Sequence, residues 1–295
     1  MDFAERSSER ARAAKTPDPF RISLNPSENA FDETTRDNPN GNYLIRGGTR
    51  DGMAVRKSRE EWKIYGNVFD EFTREVIFRL ASQGFFDELK SAIALGKEAN
   101  IFTATAGRQA ESAEQVIVKI YRLENCNFKK MYEYLRHDPR YMSTKPSKRA
   151  IVFAWCQREY RNLLLAREAV RVPTPLAFKS NVIVMSLVGD PATGETAPML
   201  KDRTPEDPAA FCQLLLDDIR ALWKAGLVHG DLSAFNVLND GEKPVMIDFS
   251  QSSPTAAPNA RALLKRDLEN LAAHFKKFGV AIDVEKEIAR TAKKA

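Results

Sequence analysis

The chain has 295 residues, of which 43% are hydrophobic and 29% are charged, and its formal net charge is +5. This length allows one large domain or two moderate ones with a substantial buried core, and the composition is typical of a soluble globular protein. No run of about 18 or more apolar residues is present, and the N-terminus has an early acidic residue with no apolar run behind it. These features argue against a membrane span and a secretory signal, so we expect a cytoplasmic protein without a membrane partner.

The N-terminal part of the chain divides into two segments. Residues 1–57 mix charged residues with prolines and glycines and have no sustained hydrophobic period, which predicts a disordered arm. Residues 58–92 predict a small helical extension, because the apolar residues Phe72, Val76, Leu80 and Phe85 recur at roughly helical spacing. Gly84 stops this pattern.

Residues 93–189 predict a lobe of strands with one helix. The segments SAIALGKEANIFTAT and EQVIVKIYRL have the pattern of strands, and the second places Lys119 on an otherwise apolar strand. A buried lysine is costly unless its ammonium group contacts an anion. Glu159, on the following helical segment, is the candidate anion. The stretch VPTPLAFKSNVIVMSLVG then predicts a loop followed by a buried strand at residues 182–188.

Residues 122–150 form a basic insertion within this lobe, which we call the basic segment. Its stretch from 129 to 149 has only Glu133 and Asp138 as acidic residues, against seven basic ones: Lys129, Lys130, Arg136, Arg140, Lys145, Lys148 and Arg149. Such a face could contact phosphate groups. A solvated basic loop without a partner is the alternative.

Residues 190–295 predict a second lobe that is mainly helical. DPAAFCQLLLDDIRALWKAG and LLKRDLENLAAHFKKFGV are amphipathic at helical spacing, and NDGEKP between two short apolar stretches predicts a hairpin. The order of elements therefore predicts an α+β protein with two lobes.

The second lobe contains two short polar motifs on either side of this hairpin, LVHGDLSAFNVL and MIDFS. Transfer of phosphate from ATP requires a carboxylate that orients the attacking hydroxyl or water, for which Asp231 is the candidate, and oxygen ligands for Mg²⁺, for which Asn236 and Asp248 are candidates. A cation on the phosphates is also required, and Lys119 paired with Glu159 would supply it. The alternative, a turn acid at 231 and a cap at 236, does not explain the joint pattern.

The spacing His-x-Asp-x-x-x-x-Asn followed by a strand ending in Asp matches the signature of kinase folds, although Gly230 stands where an arginine is usual. The loss of that arginine suggests an activity that is not switched by activation-loop phosphorylation. We expect His229 to brace the loop through hydrogen bonds. This loop alone would also suit small-molecule phosphotransferases of the aminoglycoside and choline kinase type.

The rest of the chain resembles the RIO family of atypical serine/threonine protein kinases, Rio-one type. The resemblance extends from about Trp62 to Val280 and rests on six motifs in the family's order: ALGKEANIF, VIVKIYR, WCQREYRNLLLARE, VIVMSLVG, LVHGDLSAFNVL and IDFSQS. It implies a two-lobed protein-kinase-like fold of the reduced RIO type, with the small helical extension at its N-terminus.

The resemblance also implies roles for individual residues. Lys119 looks like the ATP-binding lysine and Glu159 like its partner, while Met185 would lie beside adenine. Ser186 and Val188 would supply backbone contacts of the hinge.

Asp231 looks like the catalytic acid of the family, and Asn236 and Asp248 look like its magnesium ligands. The residue that matches Asp248 is also proposed to accept phosphate transiently, which would give an aspartyl-phosphate and ATPase turnover.

The phosphate loop departs from the family. Backbone groups near Gly96 and Lys97 can still cradle phosphate, but Ala94 and Leu95 replace the two hydroxyl residues that the family usually has. Nucleotide affinity or turnover is therefore expected to be weaker than in relatives.

Three functions follow as hypotheses. The first is an ATP- and Mg²⁺-dependent serine/threonine kinase and ATPase that acts on precursors of the small ribosomal subunit, with rRNA and ribosomal proteins as partners. In this hypothesis residues 122–150 resemble the family's flexible loop, which is often self-phosphorylated. The second is a small-molecule phosphotransferase. The third is a nucleotide-dependent binding module with little turnover.

Overall fold

The computed structural model describes residues 69–110 and 114–292. The predicted arm at 1–57 and the beginning of the predicted extension lie outside these residues. In the described ranges, no helix is both long and apolar enough to cross a lipid bilayer.

The first half of the described chain is built on an antiparallel sheet of five strands in the order β1-β2-β3-β5-β4. The strands are β1 (Phe86–Leu95), β2 (Ala99–Ala106), β3 (Gln115–Tyr121), β4 (Pro175–Lys179) and β5 (Val182–Ser186). The helices beside the sheet are α1 (Glu71–Ser82), α2 (Phe128–Arg136) and α3 (Lys148–Ala166).

Strand β3 lies at the centre of the sheet and has two apolar faces. Val116, Val118 and Ile120 belong to the core cluster that also contains α1, whereas Ile117 and Tyr121 belong to the larger cluster that contains α3. The side chains of β3 therefore alternate between the two faces of the sheet. This alternation places Lys119 on the face that is directed toward α3.

Strand β1 begins earlier than predicted. The segment to residue 92 was predicted to be helical, but the helix ends at Ser82 and β1 begins at Phe86. That part of the prediction is wrong because β1 is an edge strand with three register irregularities against β2, so only Phe86 and Leu89 of its residues are buried. Bulges remove the alternation that identifies a strand in sequence.

Strand β4 was also missed, since residues 175–179 fall in the predicted loop. Its first residue is Pro175, and the preceding stretch contains a second proline, Pro173. Proline cannot donate to a central ladder but is tolerated at the start of an edge strand, which is the position of β4 in this sheet.

The basic segment is folded rather than a solvated loop. It contains α2, and the N-cap residue Asn127 accepts a hydrogen bond of 3.1 Å at Oδ1 from Lys130 N–H. Met131, Leu135 and Tyr141 are buried in the larger core cluster. Its lysines remain exposed, together with Arg136 and Arg149. The segment is therefore not a fully solvated loop, and its basic residues lie on an ordered surface; that this surface contacts phosphate groups stays a prediction.

The second half is mainly helical, as predicted. Its helices are α4 (Pro208–Lys224), α5 (Ala260–Phe275) and α6 (Val284–Thr291). Its short strands are β6 (Gly189–Asp190), β7 (Glu195–Thr196), β8 (Leu227–Val228), β9 (Val237–Asn239), β10 (Pro244–Met246) and β11 (Ser253–Pro254). Strands β9 and β10 form the predicted hairpin, and β8 pairs with β11. These pairings fix the ends of the two loops that carry the polar motifs.

Candidate active site

The site is centred on Lys119, which lies between two carboxylates. Its Nζ is 2.7 Å from Glu159 Oε1 on α3 and 3.2 Å from Asp248 Oδ1 after β10. Tyr121 donates its hydroxyl to the other oxygen of Glu159. Burial lowers the pKa of Lys119, but Asp248 and Glu159 outweigh it and hold the pKa above the usual range. The amine is therefore a fixed positive charge between the two carboxylates.

Asp248 has the left-handed backbone conformation, with φ at +62°, that residues other than glycine rarely adopt. Its Oδ1 accepts a hydrogen bond of 2.7 Å from Ser250 Oγ, and its side chain is 42% exposed. Burial raises the pKa of Asp248, but Lys119 and the Ser250 hydroxyl bring it below the ordinary value. Asp248 is thus an ionised carboxylate that solvent can reach.

Asp231 lies on the loop between β8 and β9. Its Oδ2 accepts a hydrogen bond of 2.8 Å from Gln251 Nε2, and its Oδ1 is 4.0 Å from Arg266 Nη2. Burial, and then the nearby charge of Asp248, raise the pKa of Asp231. The pKa values of Asp231 and Asp248 are therefore shifted in opposite directions, which is the arrangement in which paired carboxylates take different chemical roles.

Asn236 is bonded to the same loop, because its Nδ2 donates to the backbone carbonyl of Asp231 at 2.9 Å. An amide binds a cation such as Mg²⁺ through its oxygen, and this bond leaves Oδ1 of Asn236 as the atom that could do so. The structure thus brings together Lys119, Glu159, Asp231 and Asp248 as the sequence predicts, with Asn236 on the same loop.

His229 braces the loop, in agreement with the expectation from sequence. Its Nε2 lies 3.0 Å from the carbonyl of Ile247, which can only accept, so Nε2 carries the proton. Its Nδ1 is then free to accept from Asp231 N–H at 3.4 Å. Burial lowers the pKa of His229 to about 4, so the ring is neutral at pH 7. Gly230, next along, has φ at +77°, a backbone conformation that an arginine would adopt only with strain.

Helix α5 supports the loop between β8 and β9 through Asp267 and Asn270, which were not predicted as site residues. Asp267, 2% exposed, accepts hydrogen bonds from Gly230 N–H at 2.7 Å and Leu232 N–H at 2.8 Å. Asn270 Nδ2 donates to Leu232 O at 3.0 Å. Asp267 could have been recognised in the sequence as an acid among the apolar positions of α5, where it shares the buried face with Leu264. A buried acid requires hydrogen-bond donors.

The predicted phosphate loop connects β1 and β2. Gly96 N–H donates to Ala99 O at 3.0 Å, and a Cβ on Gly96 would lie 2.8 Å from that oxygen, so the tight turn requires glycine. Lys97 is exposed, and so is Leu95. Glu98, also missed, is half-buried here, and burial followed by the charge of Asp248 raises its pKa. The sequence signal for Glu98 was its place in the motif ALGKEANIF, directly after Lys97.

The predicted hinge residues lie at and after the end of β5. Met185 is buried opposite Ile117 of β3. Ser186 N–H donates to Thr174 O at 2.8 Å, and Val188 O accepts from Ala197 N–H at 2.8 Å.

Comparison with known protein families gives one domain match. A model described as the RIO domain matches residues 100–288. Two curated relatives are named RIO-type serine/threonine-protein kinase Rio1. The Haloferax volcanii protein is 39% identical over 229 residues, which cover 77% of each chain. The Methanocaldococcus jannaschii protein is 38% identical over 223 residues, 75% of this chain and 74% of that protein. The human serine/threonine-protein kinase RIO1 is 31% identical, and the match covers 39% of its length.

Solved structures are similar as well. The crystal structure of the Rio2 kinase-ADP/Mg²⁺-phosphoaspartate complex from Chaetomium thermophilum superposes with a TM-score of 0.55 and 25% identity, over 75% of this chain and 66% of that one. A second structure of Rio2 kinase from the same organism gives a TM-score of 0.56. These similarities confirm the predicted two-lobed, kinase-like α+β fold.

Proposed function

Because the chain belongs to the RIO family of serine/threonine protein kinases, we propose that it transfers the γ-phosphate of ATP with the help of Mg²⁺, in the cleft between the sheet and the second lobe. The observation that carries the proposal is the position of Lys119 between Glu159 and Asp248. A charged amine fixed by two acids is what neutralisation of nucleotide phosphates requires.

The nucleotide would lie along the cleft from the hinge to the phosphate loop. Met185 would contact adenine, and Ser186 and Val188 would face it with their backbone. Lys119 would bind the phosphates, with the backbone of Gly96 and Lys97 above them. The phosphates would compete with Asp248 for the amine, because Nζ of Lys119 lies 2.7 Å from Glu159 and 3.2 Å from Asp248.

Asn236 and Asp248 would hold Mg²⁺, for which oxygen ligands are preferred. The fit rests on the ionised, partly exposed carboxylate of Asp248 and on the Oδ1 atom of Asn236. Within the described ranges no three His, Cys, Asp or Glu side chains are grouped to hold a metal, so this site would combine one carboxylate and one amide with phosphate oxygens. The ion would neutralise charge on the transferred phosphate.

Asp231 would orient the acceptor. With Oδ2 bonded to Gln251, its Oδ1 is the oxygen that could accept the proton of a serine or threonine hydroxyl or of water. In a second reaction, Asp248 would attack the γ-phosphorus, so that a bond to the carboxylate forms as the bond to ADP breaks. Water would then hydrolyse the aspartyl-phosphate. This proposal draws on the phosphoaspartate complex of the similar Rio2 kinase.

We extend the proposal to partners and place. Precursors of the small ribosomal subunit, with their rRNA and ribosomal proteins, would contact the exposed basic side chains of the basic segment. The reaction would take place in the cytoplasm. Self-phosphorylation would occur in the same segment, where Ser143 is exposed.

One observation favours a second candidate, a nucleotide-dependent binding module. Leu95, in the phosphate loop, is 67% exposed and brings no hydroxyl donor. Bound ATP would then turn over slowly. Thermal stabilisation by ATP without release of phosphate would identify this case.

The main test measures ATP hydrolysis by the purified chain with Mg²⁺. Asp231→Asn and Asp248→Ala should each lower the rate by about 100-fold or more, as expected when a proton acceptor or metal ligand is lost. Asp217→Asn, an exposed acid on α4, is the control and should behave as the wild type. Hydrolysis by either site variant at the wild-type rate would show that the assignment is wrong.

A further inference from the structure

A single turn holds both carboxylates of the site. It comprises residues 249–253, directly after Asp248, and we call it the anchored turn. Ser250 Oγ donates to Asp248 Oδ1 at 2.7 Å, and Gln251 Nε2 donates to Asp231 Oδ2 at 2.8 Å. The relative position of the two acids is therefore coupled to the position of this turn.

The anchored turn is bonded to two side chains of α3 that are fully buried, Arg158 and Asn162. Arg158 Nη1 donates to Ser250 O at 2.8 Å, and Nη2 donates to Ser253 Oγ at 3.0 Å. Asn162 Nδ2 donates to the carbonyls of Phe249 and Ser252, each at 3.0 Å. The backbone on both sides of Gln251 is thus fixed from one helix.

Arg158 is in turn held by the basic segment. Its Nε is 3.1 Å from Oδ2 of Asp138, which is 1% exposed. Arg140 forms two bonds to the same carboxylate, through Nε at 2.9 Å and Nη2 at 2.7 Å. Arg140 Nη2 also donates to Asn162 Oδ1 at 2.9 Å. Four polar side chains therefore form a continuous path from the basic segment to the anchored turn.

Stability alone is a poor explanation for this cluster. Burying a guanidinium and a carboxylate is costly, and apolar residues of similar volume often serve as well or better. The cluster instead fixes the orientation of the anchored turn, because Arg158 and Asn162 donate hydrogen bonds to three of its carbonyls. Side chains on a helix, locked by such bonds, are the supports that keep reacting groups in position.

We propose that Arg158, held by Asp138 of the basic segment, is a positioning residue that sets the geometry of Asp231 and Asp248 through Ser250 and Gln251. This inference rests on the proposed function, because it assumes that the two acids act on ATP. It extends that function by giving the basic segment a part in catalysis that needs no contact with nucleotide.

The test separates turnover from nucleotide binding. Asp138→Asn keeps the shape of the side chain but removes its charge, so it should loosen Arg158 and lower kcat for ATP hydrolysis by about tenfold or more. The Kd for ADP in the presence of a chelator, measured by calorimetry, should stay within about twofold, because the proposed adenine contacts, Met185, Ser186 and Val188, lie outside the anchored turn. Glu133→Gln, an exposed acid on α2, is the matched control and should leave both quantities unchanged.

A double-mutant cycle tests the path. Gln251→Ala removes the bond to Asp231 and should also lower kcat at constant Kd. If Asp138 acts through the anchored turn, the double variant should lose less activity than the product of the single losses. Losses that multiply in full would overturn the proposal. So would a wild-type kcat for Asp138→Asn.

Folding is monitored separately, since Asp138 is buried. If Asp138→Asn does not fold, Arg140→Gln weakens the hold on Asp138 from a partly exposed position and is measured in the same way. A melting temperature that falls while kcat at 25 °C stays normal would show a structural role only and would overturn the proposal. The proposed function has its own readout, because Asp231→Asn must be inactive whether or not Arg158 positions the turn.

Discussion

His229 shows how one buried side chain connects the chemistry of the site to the stability of the fold. The ring is neutral, its Nε2 donates to Ile247 O, and its Nδ1 accepts from the backbone of Asp231. Protonation of Nδ1 would remove an acceptor and place a charge where burial has lowered the pKa to about 4. The loop that carries Asp231 therefore depends on the neutral ring.

This dependence predicts that His229 contributes less to stability in mild acid. The pKa of His229 in the folded chain lies below the ordinary value of 6.5, so below pH 6.5 the unfolded chain binds a proton that the folded chain does not. The stabilising contribution is present above pH 6.5 and is lost as pH falls toward 4. Between pH 7 and pH 5 it amounts to about 2 kcal/mol, by linkage.

The measurement is urea unfolding at both pH values. His229→Gln, which cannot titrate, should lose less free energy of unfolding between pH 7 and pH 5 than the wild type. His137→Gln changes an exposed histidine and should keep the wild-type difference. An equal pH dependence in His229→Gln and wild type would contradict the assignment of a neutral buried ring.

At the scale of elements, periodicity and turn residues predicted most of the helical half. Helices α4 and α5 and the hairpin of β9 and β10 are found as predicted, since each has a strong local pattern. Strand β1 begins earlier than predicted because its bulges remove the alternating pattern of a strand. Strand β4 was not predicted because of its prolines, which are tolerated at an edge strand. Helix α2 was missed because the charge of the basic segment masked its two buried apolar residues, Met131 and Leu135.

For the candidate site, the residues that carry chemistry could be predicted from the sequence, but the contacts that support them could not. The residues that carry chemistry stand in short motifs, and Lys119 could be paired with Glu159 because a buried lysine requires an anion. The supporting contacts could not be predicted. Arg158 and Ser250 are 92 positions apart, and Gly230 and Asp267 are 37 apart. Such contacts follow from how elements pack, and no local pattern encodes them.

The contact between α5 and the loop after β8 gives an element-scale prediction. Asp267→Asn keeps the shape but turns one acceptor oxygen into a donor, which would face Gly230 N–H or Leu232 N–H. The free energy of unfolding should fall by about 1–3 kcal/mol, the cost of an unsatisfied buried group. ATP turnover should fall as well, because the loop carries Asp231.

Chemical denaturation and a turnover assay on the same sample check this expectation. Glu269→Gln, two residues along α5 and exposed, makes the same chemical change without touching the loop and should match the wild type. Asp267→Asn with wild-type stability and turnover would mean that α5 does not support the loop.

At the scale of the whole molecule, the contact of Lys119 with Asp248 joins the sheet to the second lobe across the proposed nucleotide cleft. A ligand that bridges the lobes binds the folded chain and not the unfolded one, so it must stabilise the fold in proportion to its occupancy. The proposed site therefore predicts a thermal shift as well as an activity.

ADP with Mg²⁺ at about 100 times its Kd should raise the free energy of unfolding by ~2.7 kcal/mol. For a chain of this size the melting temperature should rise by roughly 5–10 °C. ADP with a chelator should give a smaller shift, because Asn236 and Asp248 would then hold no ion beside the phosphates. Lys119→Met should abolish most of the shift, whereas Lys265→Met, an exposed lysine on α5 that pairs with Glu285, should preserve it. An equal shift in Lys119→Met and wild type would place the nucleotide elsewhere in the molecule.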